Sequence, residues 1–144
     1  MNIYGIIAAM QEEINEIENI MKNTNSTEIF GLTFVKGIIN KSEVILVEAG
    51  VGKVNAARTT QILIDNFKID AIINVGSAAS AKDDLDIGDI VIGKKLVQHD
   101  FDITAFGHPK GYISNVGKYI ESDKELVEKV ERTINELKDN EEEE

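Results

Sequence analysis

The 144-residue sequence predicts an α/β fold built around a sheet with parallel strands, and three observations carry that expectation. Ile3 to Ala9 is a continuous apolar run without polar alternation, the pattern of a strand covered on both faces. From Gln11 the apolar spacing changes to a helical period. Further on, a β-rich piece, the stretch "GVGKVNAARTTQILIDNF" and the apolar "DAIINVGSAAS" follow as strand, helix and strand, an order that implies a right-handed crossover and a parallel pair.

The elements follow in chain order. The first strand, Ile3 to Ala9, is expected to be central in the sheet. The helix after it carries Ile14, Ile17 and Met21 on one stripe and is ended by the polar "KNTNST". "EIFGLTFVKGIINKSEVILVEAG" offers strands near Glu28 to Phe30, Leu32 to Ile39 and Glu43 to Val47, with "NKS" as a turn. In the next helix Ala56, Thr60, Leu63, Ile64 and Phe67 form the expected inward face. "DAIINVGSAAS" is a strand that ends at Gly76 in a loop of small residues, and "LDIGDIVIGKKLVQHDFDITAFG" supplies one or two further strands and a loop. The last helix opens on a capping box, Ser122 with Glu125, and carries Leu126, Val130, Ile134 and Leu137 as its stripe. Four glutamates at its carboxyl end oppose the helix dipole, so residues 140–144 are expected to be an acidic disordered tail behind one domain over 1–139.

Composition narrows the function classes. With 26 Asp and Glu against 15 Lys and Arg, the net charge of -11 disfavours binding through phosphate neutralisation, and no nucleic-acid partner is expected. There is no cysteine, which removes disulfides, thiolate metal sites and a cysteine nucleophile. The first apolar run lacks a basic flank and is too short for a secretory core, and no later segment is long enough to span a bilayer. A cytoplasmic protein with no membrane partner is the expectation.

Four segments carry chemistry or its imitation. "GVGKV" lacks the first glycine and the Ser or Thr of a Walker A loop, and the third glycine of a dinucleotide fingerprint. A backbone free to approach a ligand at a strand-to-helix turn remains, beside a plain helix entry. "NVGSAAS" stands where a parallel strand meets the ligand edge of a sheet. It is not the G-x-S-x-G elbow, so Ser77 is no hydrolase nucleophile, and a tight turn with a capping serine explains it equally. His99, Asp100, Asp102 and His108 raise a metal question, but their spacing matches no ligand pattern, and no metal or other cofactor is expected. Glu12 and Glu13 point about 100° apart on a helix, so one of them faces the sheet edge. Stabilisation by the helix dipole accounts for both without any function.

Together, "IYGIIAAMQEEI", "VEAGVGKVNAA", "DAIINVGSAAS", "LDIGDIVIG" and "HDFDITAFG" resemble, in order and spacing, the 5'-methylthioadenosine/S-adenosylhomocysteine nucleosidases of the nucleoside phosphorylase superfamily. The resemblance runs from Met1 to about Leu137. It implies a three-layer α/β/α sandwich around a central mixed sheet, C-terminally truncated. It also implies cofactor-free hydrolysis of the N-glycosidic bond of adenine thionucleosides, releasing adenine and the thioribose product in methionine salvage. Glu13 then matches the water-activating base and Ser77 the serine beside the ribose. Met10 and Val51 match apolar contacts to the sugar, and Ala78 and Ala79 the small residues bordering the nucleoside. Ile103, Phe106 and His108 match the loop walling the 5'-alkylthio pocket, which in the family is lent partly by the second subunit of a homodimer. The family's adenine-protonating aspartate and a ribose-binding glutamate have no match here. The resemblance therefore implies a chain inactive alone, partnered by a second copy or by a complementing C-terminal chain. A non-catalytic nucleoside-binding or assembly remnant is the alternative. A phosphate-using phosphorylase lacks a basic pair for the anion in these motifs.

Overall fold

The computed structural model describes residues 2–141. The chain divides into two compact units, Met1–Ala81 and Lys82–Glu144, each described by itself.

The first unit is built on a five-stranded mixed sheet in the order β2-β3-β4-β1-β5. Its strands are β1 (Ile3–Ala8), β2 (Lys22–Ile29), β3 (Leu32–Ile39), β4 (Ser42–Glu48) and β5 (Ala71–Asn74). β1 lies between β4 and β5, parallel to both, with Ile6 opposite Leu46 and Ile73. That position explains its unbroken apolar run, since both faces and both edges are covered. The expected crossover does make β4 and β5 parallel, but β1 separates them, so they are not neighbours.

β2, β3 and β4 form an antiparallel meander. Its turns put Phe30 and Gly31, and then Asn40, at positive φ, as tight hairpins require. Here one expectation is overturned: "KNTNST" is a strand rather than the polar end of a helix. Its polarity follows from its place at the sheet edge, exposed along nearly its whole length, with a register shift between Lys22 and Asn25. The preceding helix is correspondingly short, a 3-10 turn at Gln11–Glu13 followed by α1 (Asn15–Ile20).

Helices cover both faces of this sheet. On one face Ile7, Phe34, Ile45 and Val47 pack with Leu63 of α2 (Lys53–Asn66), and the rings of Phe34 and Phe67 lie 5.1 Å apart. On the other, Ile6, Ala8, Val44 and Leu46 pack with Ile14 and Met21. Burial of side chains such as Phe34 and Leu46 contributes about 1.5–3 kcal/mol each. The close approach of α2 depends on Gly5, where an added Cβ would lie 2.6 Å from Leu63 Cδ2. α2 is rotated from its expected face: Thr59 is fully buried beside Leu63, whereas Ile64 is 50% exposed. Packing onto β1 selects the line that carries Leu63, because Leu63 stands over the glycine.

The second unit holds the two-residue strands β6 (Lys95–Leu96) and β7 (Ile120–Glu121), a 3-10 turn at Thr104–Phe106 and α3 (Lys124–Glu141). The apolar "DIVIG" before β6 belongs to no strand, and Ile87, Ile90 and Val91 are exposed. An apolar run becomes a strand only when a neighbour takes up its N–H and C=O groups. The cap of α3 is Asp123 rather than Ser122. Asp123 Oδ1 accepts the N–H of Leu126 at 2.9 Å, while Ser122 Oγ donates to the carbonyl of Gly93 at 2.6 Å. Of the expected stripe, Leu126 and Ile134 are half-buried and Val130 and Leu137 exposed. Of the acidic tail expected over 140–144, residues 142–144 lie outside the described residues.

Candidate active site

Because β1 and β5 are parallel neighbours, both chains leave the sheet at the same carboxyl edge, through Ala9 and Met10 on one side and Val75 to Ser77 on the other. Glu13 joins the two exits. Its position in the 3-10 turn lets the side chain fold back, so that Oε2 accepts the N–H of Ala9 at 3.0 Å and of Met10 at 3.1 Å. Oε1 accepts the N–H of Ser77 at 2.9 Å and its hydroxyl at 3.0 Å. The backbone N–H of Ser77, more than any other contact, holds the Glu13 carboxyl below its ordinary value, with the Ser77 hydroxyl, Met10 and Ala9 adding to it against partial desolvation. Glu12, its neighbour, is exposed.

Gly76 makes room for this junction. A Cβ there would stand 3.1 Å from Glu13 Oε1, tighter than ordinary contact. Neither Gly76 nor the Ala9 N–H is picked out by the sequence motifs as a participant, although the small-residue run around Gly76 marks a place where something approaches the backbone closely.

The other residues expected at the site are spread differently. Met10 supplies its N–H to Glu13, with its side chain at the margin of exposure. Val51 is 70% exposed in the turn into α2, between Gly50 and Gly52, which both have positive φ. Ala78 and Ala79 lie in exposed chain after β5. Ile103, Phe106 and His108 belong to the second unit. Ile103 is half-buried before the 3-10 turn, Phe106 is 81% exposed within it, and His108 stacks on Tyr112 with ring centroids 4.3 Å apart. Asp102 shapes this loop, its Oδ1 accepting the Thr104 N–H at 3.0 Å. That bond first, with the Thr104 hydroxyl and Lys110, lowers the Asp102 carboxyl. Among the described residues no three His, Cys, Asp or Glu side chains gather as a metal ion would require, and no helix is long and apolar enough to cross a membrane.

A mixed sheet between helix layers, with a carboxylate and a serine joined across its carboxyl edge, defines an α/β protein of the ligand-at-the-strand-ends class. The family model described as the phosphorylase superfamily matches residues 3–142, and the chain belongs to that superfamily. More particularly, it is 39% identical over 135 residues to a 5'-methylthioadenosine/S-adenosylhomocysteine nucleosidase of Exiguobacterium, covering 94% of this chain and 58% of that relative. Among solved structures it resembles the S-adenosylhomocysteine nucleosidase of Streptococcus pyogenes in complex with 5-methylthiotubericidin. The TM-score is 0.91 at 38% identity, over 95% of this chain and 58% of that one. It also resembles the Neisseria meningitidis 5'-methylthioadenosine/S-adenosylhomocysteine nucleosidase bound to methylthio-immucillin-A. There the TM-score is 0.92 at 32% identity, over 95% and 59% of the two chains. The chain thus spans a little under three fifths of the length of the relatives it matches.

Proposed function

We propose that this chain supplies the water-activating side of a nucleosidase that hydrolyses the N-glycosidic bond of 5'-methylthioadenosine and S-adenosylhomocysteine. The observation that carries the proposal is the Glu13–Ser77 junction at the ends of β1 and β5. In this reaction a water oxygen bonds to the anomeric carbon while the bond from that carbon to adenine breaks. The electrons of that bond leave with the base, and the water proton passes to Glu13. An ionised carboxylate offers about four lone-pair sites. Here Ala9, Met10 and Ser77 direct three backbone N–H groups and one hydroxyl at them. Only the hydroxyl can rotate, so Ser77 is the donor that turns away to admit the water and to meet a ribose oxygen. The lowered carboxyl keeps Glu13 ionised, as a base must be.

Met10, Val51, Ala78 and Ala79 are assigned to the sugar and nucleoside, and Ile103, Phe106 and His108 to the 5'-alkylthio group. The leaving adenine takes a proton from an acid for which none of the chain's motifs offers a match, so a complementing chain or a longer form supplies it. A second copy completes the alkylthio pocket. The family model spans both compact units, which supports treating them as parts of one domain.

The test is adenine release from methylthioadenosine, by this chain alone and with a chain carrying the rest of the Exiguobacterium relative. Release only with the supplement, reduced about 10²- to 10⁴-fold by Glu13→Gln, is the expected result. No release in either case makes the chain a non-catalytic remnant of the fold, and release that depends on inorganic phosphate makes it a phosphorylase.

A further inference from the structure

β4, like β1 and β5, leaves the sheet at its carboxyl edge, and its exit takes no part in the Glu13–Ser77 junction. The Ala49 N–H donates to the Ala8 carbonyl at 2.7 Å, which carries the β1–β4 ladder one residue past Glu48. On the other side of β1 the Val75 N–H meets the Ile7 carbonyl at 3.0 Å. Paired backbone therefore sets the turn Gly50–Val51–Gly52 beside Ala9 and Met10.

By composition this turn is loose. Val51 stands between glycines at φ 82° and 108°, and the cap of α2 is Gly52, which has no side chain to accept an orphan N–H. The ladder of α2 begins only with the Ala56 N–H on the Gly52 carbonyl at 3.0 Å. Asn55 supplies the missing tie. Its Nδ2 donates to the Val51 carbonyl at 2.8 Å, and the same amide lies against Gly50, where an added Cβ would stand 3.1 Å from Nδ2. Among the described residues no other hydrogen-bond donor meets that carbonyl. Asn66 makes the same bond at 2.8 Å to the Ile62 carbonyl, but inside α2, where the helix already fixes the backbone. The Asn55 bond instead fixes a segment that the helix does not reach. It leaves Val51, an apolar side chain 70% exposed, on a turn held by one amide.

We infer that Asn55 is a positioning residue of the proposed site: acting through the Val51 carbonyl, it holds the Gly50–Gly52 turn in the shape that meets the nucleoside, and so sets affinity rather than rate. The inference rests on the nucleosidase reading and on the assignment of Val51 to the sugar. Affinity is affected because a turn held in advance spares the ligand the cost of ordering it. Rate is spared because Glu13 takes its hydrogen bonds from Ala9, Met10 and Ser77 and none from this turn. A contact equally strong in the bound substrate and in the transition state changes KM and leaves kcat alone.

The test compares wild type, Asn55→Ala and Asn55→Ser. Alanine removes the donor at a position where it is the better helix former, so that variant folds. The serine hydroxyl can reach the carbonyl four residues back, as Thr133 does to Lys129 at 3.0 Å. Adenine release from methylthioadenosine is followed in the complemented assay, NMR titration of the labelled chain gives the dissociation constant, and urea unfolding gives the folded fraction. In Asn55→Ala, KM and the dissociation constant should rise about fivefold, with kcat and its pH profile unchanged. Asn55→Ser should return both to within about twofold of wild type. A kcat that falls with the folded fraction at constant KM gives Asn55 a structural role only and overturns the inference. A KM unmoved in Asn55→Ala, or a rise that serine does not reverse, also overturns it, and each of these leaves the nucleosidase reading intact. Binding without release makes the dissociation constants the readout, with the same expected changes. If wild type neither releases adenine nor shows shifts at Met10 to Glu13 and Ser77 on titration, the nucleosidase reading fails and the role of Asn55 falls with it.

Discussion

At the scale of single residues, Glu13 does with its side chain what the ends of two strands need. Three backbone N–H groups at the carboxyl edge lack strand partners, and one carboxylate satisfies them all. Its folded carboxyl is lowered below the unfolded value of 4.5, so the junction stabilises the fold fully above that pH. The contribution is lost as pH falls through the lower folded value. Gly76→Ala places a methyl 3.1 Å from Oε1 and pushes the carboxylate off Ser77. The carboxyl should return toward 4.5, the pH dependence of stability on the acid side should flatten, and adenine release in the complemented assay should drop. Carboxyl titration by NMR beside urea melts at several pH values measures this, and an unmoved Glu13 titration would show that Gly76 is not what holds the geometry.

At the scale of elements, β1, β3, β4 and α2 could be located from sequence because burial imposes a period. β1 is apolar throughout, and α2 repeats every three to four residues. Of β2 only the end near Glu28 and Ile29 could be, because the rest, "KNTNST", runs along the sheet edge with every side chain exposed and no apolar residue to mark it. The run "DIVIG" misleads in the opposite sense, since apolar character shows that a segment can be a strand but not who its partner is. The site divides in the same way. The residue types of Glu13 and Ser77 stand in local motifs, whereas their pairing across 64 positions, and the space at Gly76, depend on β5 lying beside β1. Within α2 the rotated face leaves one cost visible: among the described residues Thr59 Oγ1 is buried without a hydrogen-bond partner. Thr59→Val keeps the shape and removes the stranded hydroxyl, and should stabilise the chain by about 1 kcal/mol in urea unfolding. A loss of stability would mean that a bound water or the carbonyl one turn earlier satisfies that oxygen.

At the scale of the whole molecule, the apolar core is unevenly distributed. Both hydrophobic clusters draw their buried residues from positions 6 to 63, all in the first unit. In the second, Ile87, Ile90, Val91 and Phe106 face solvent, and the strands among the described residues are two residues long. Amides open according to how much buried surface an opening exposes, so protection should follow this division. Native-state hydrogen exchange should find the slowest amides in β1, β3 and β4, around Ile7, Phe34, Ile45 and Leu46. Residues 82–103 should exchange quickly, because few of their N–H groups have a backbone partner. Adding the complementing chain distinguishes two origins of that openness. If the exposed apolar segment is the seat of a missing neighbour, its amides and those of β5, an edge strand among the described residues, should gain protection while the β1 and β4 rates change little. If the segment is intrinsically open, the supplement should leave its exchange as it was, and the complemented enzyme would have to draw its acid from a partner that does not extend this sheet.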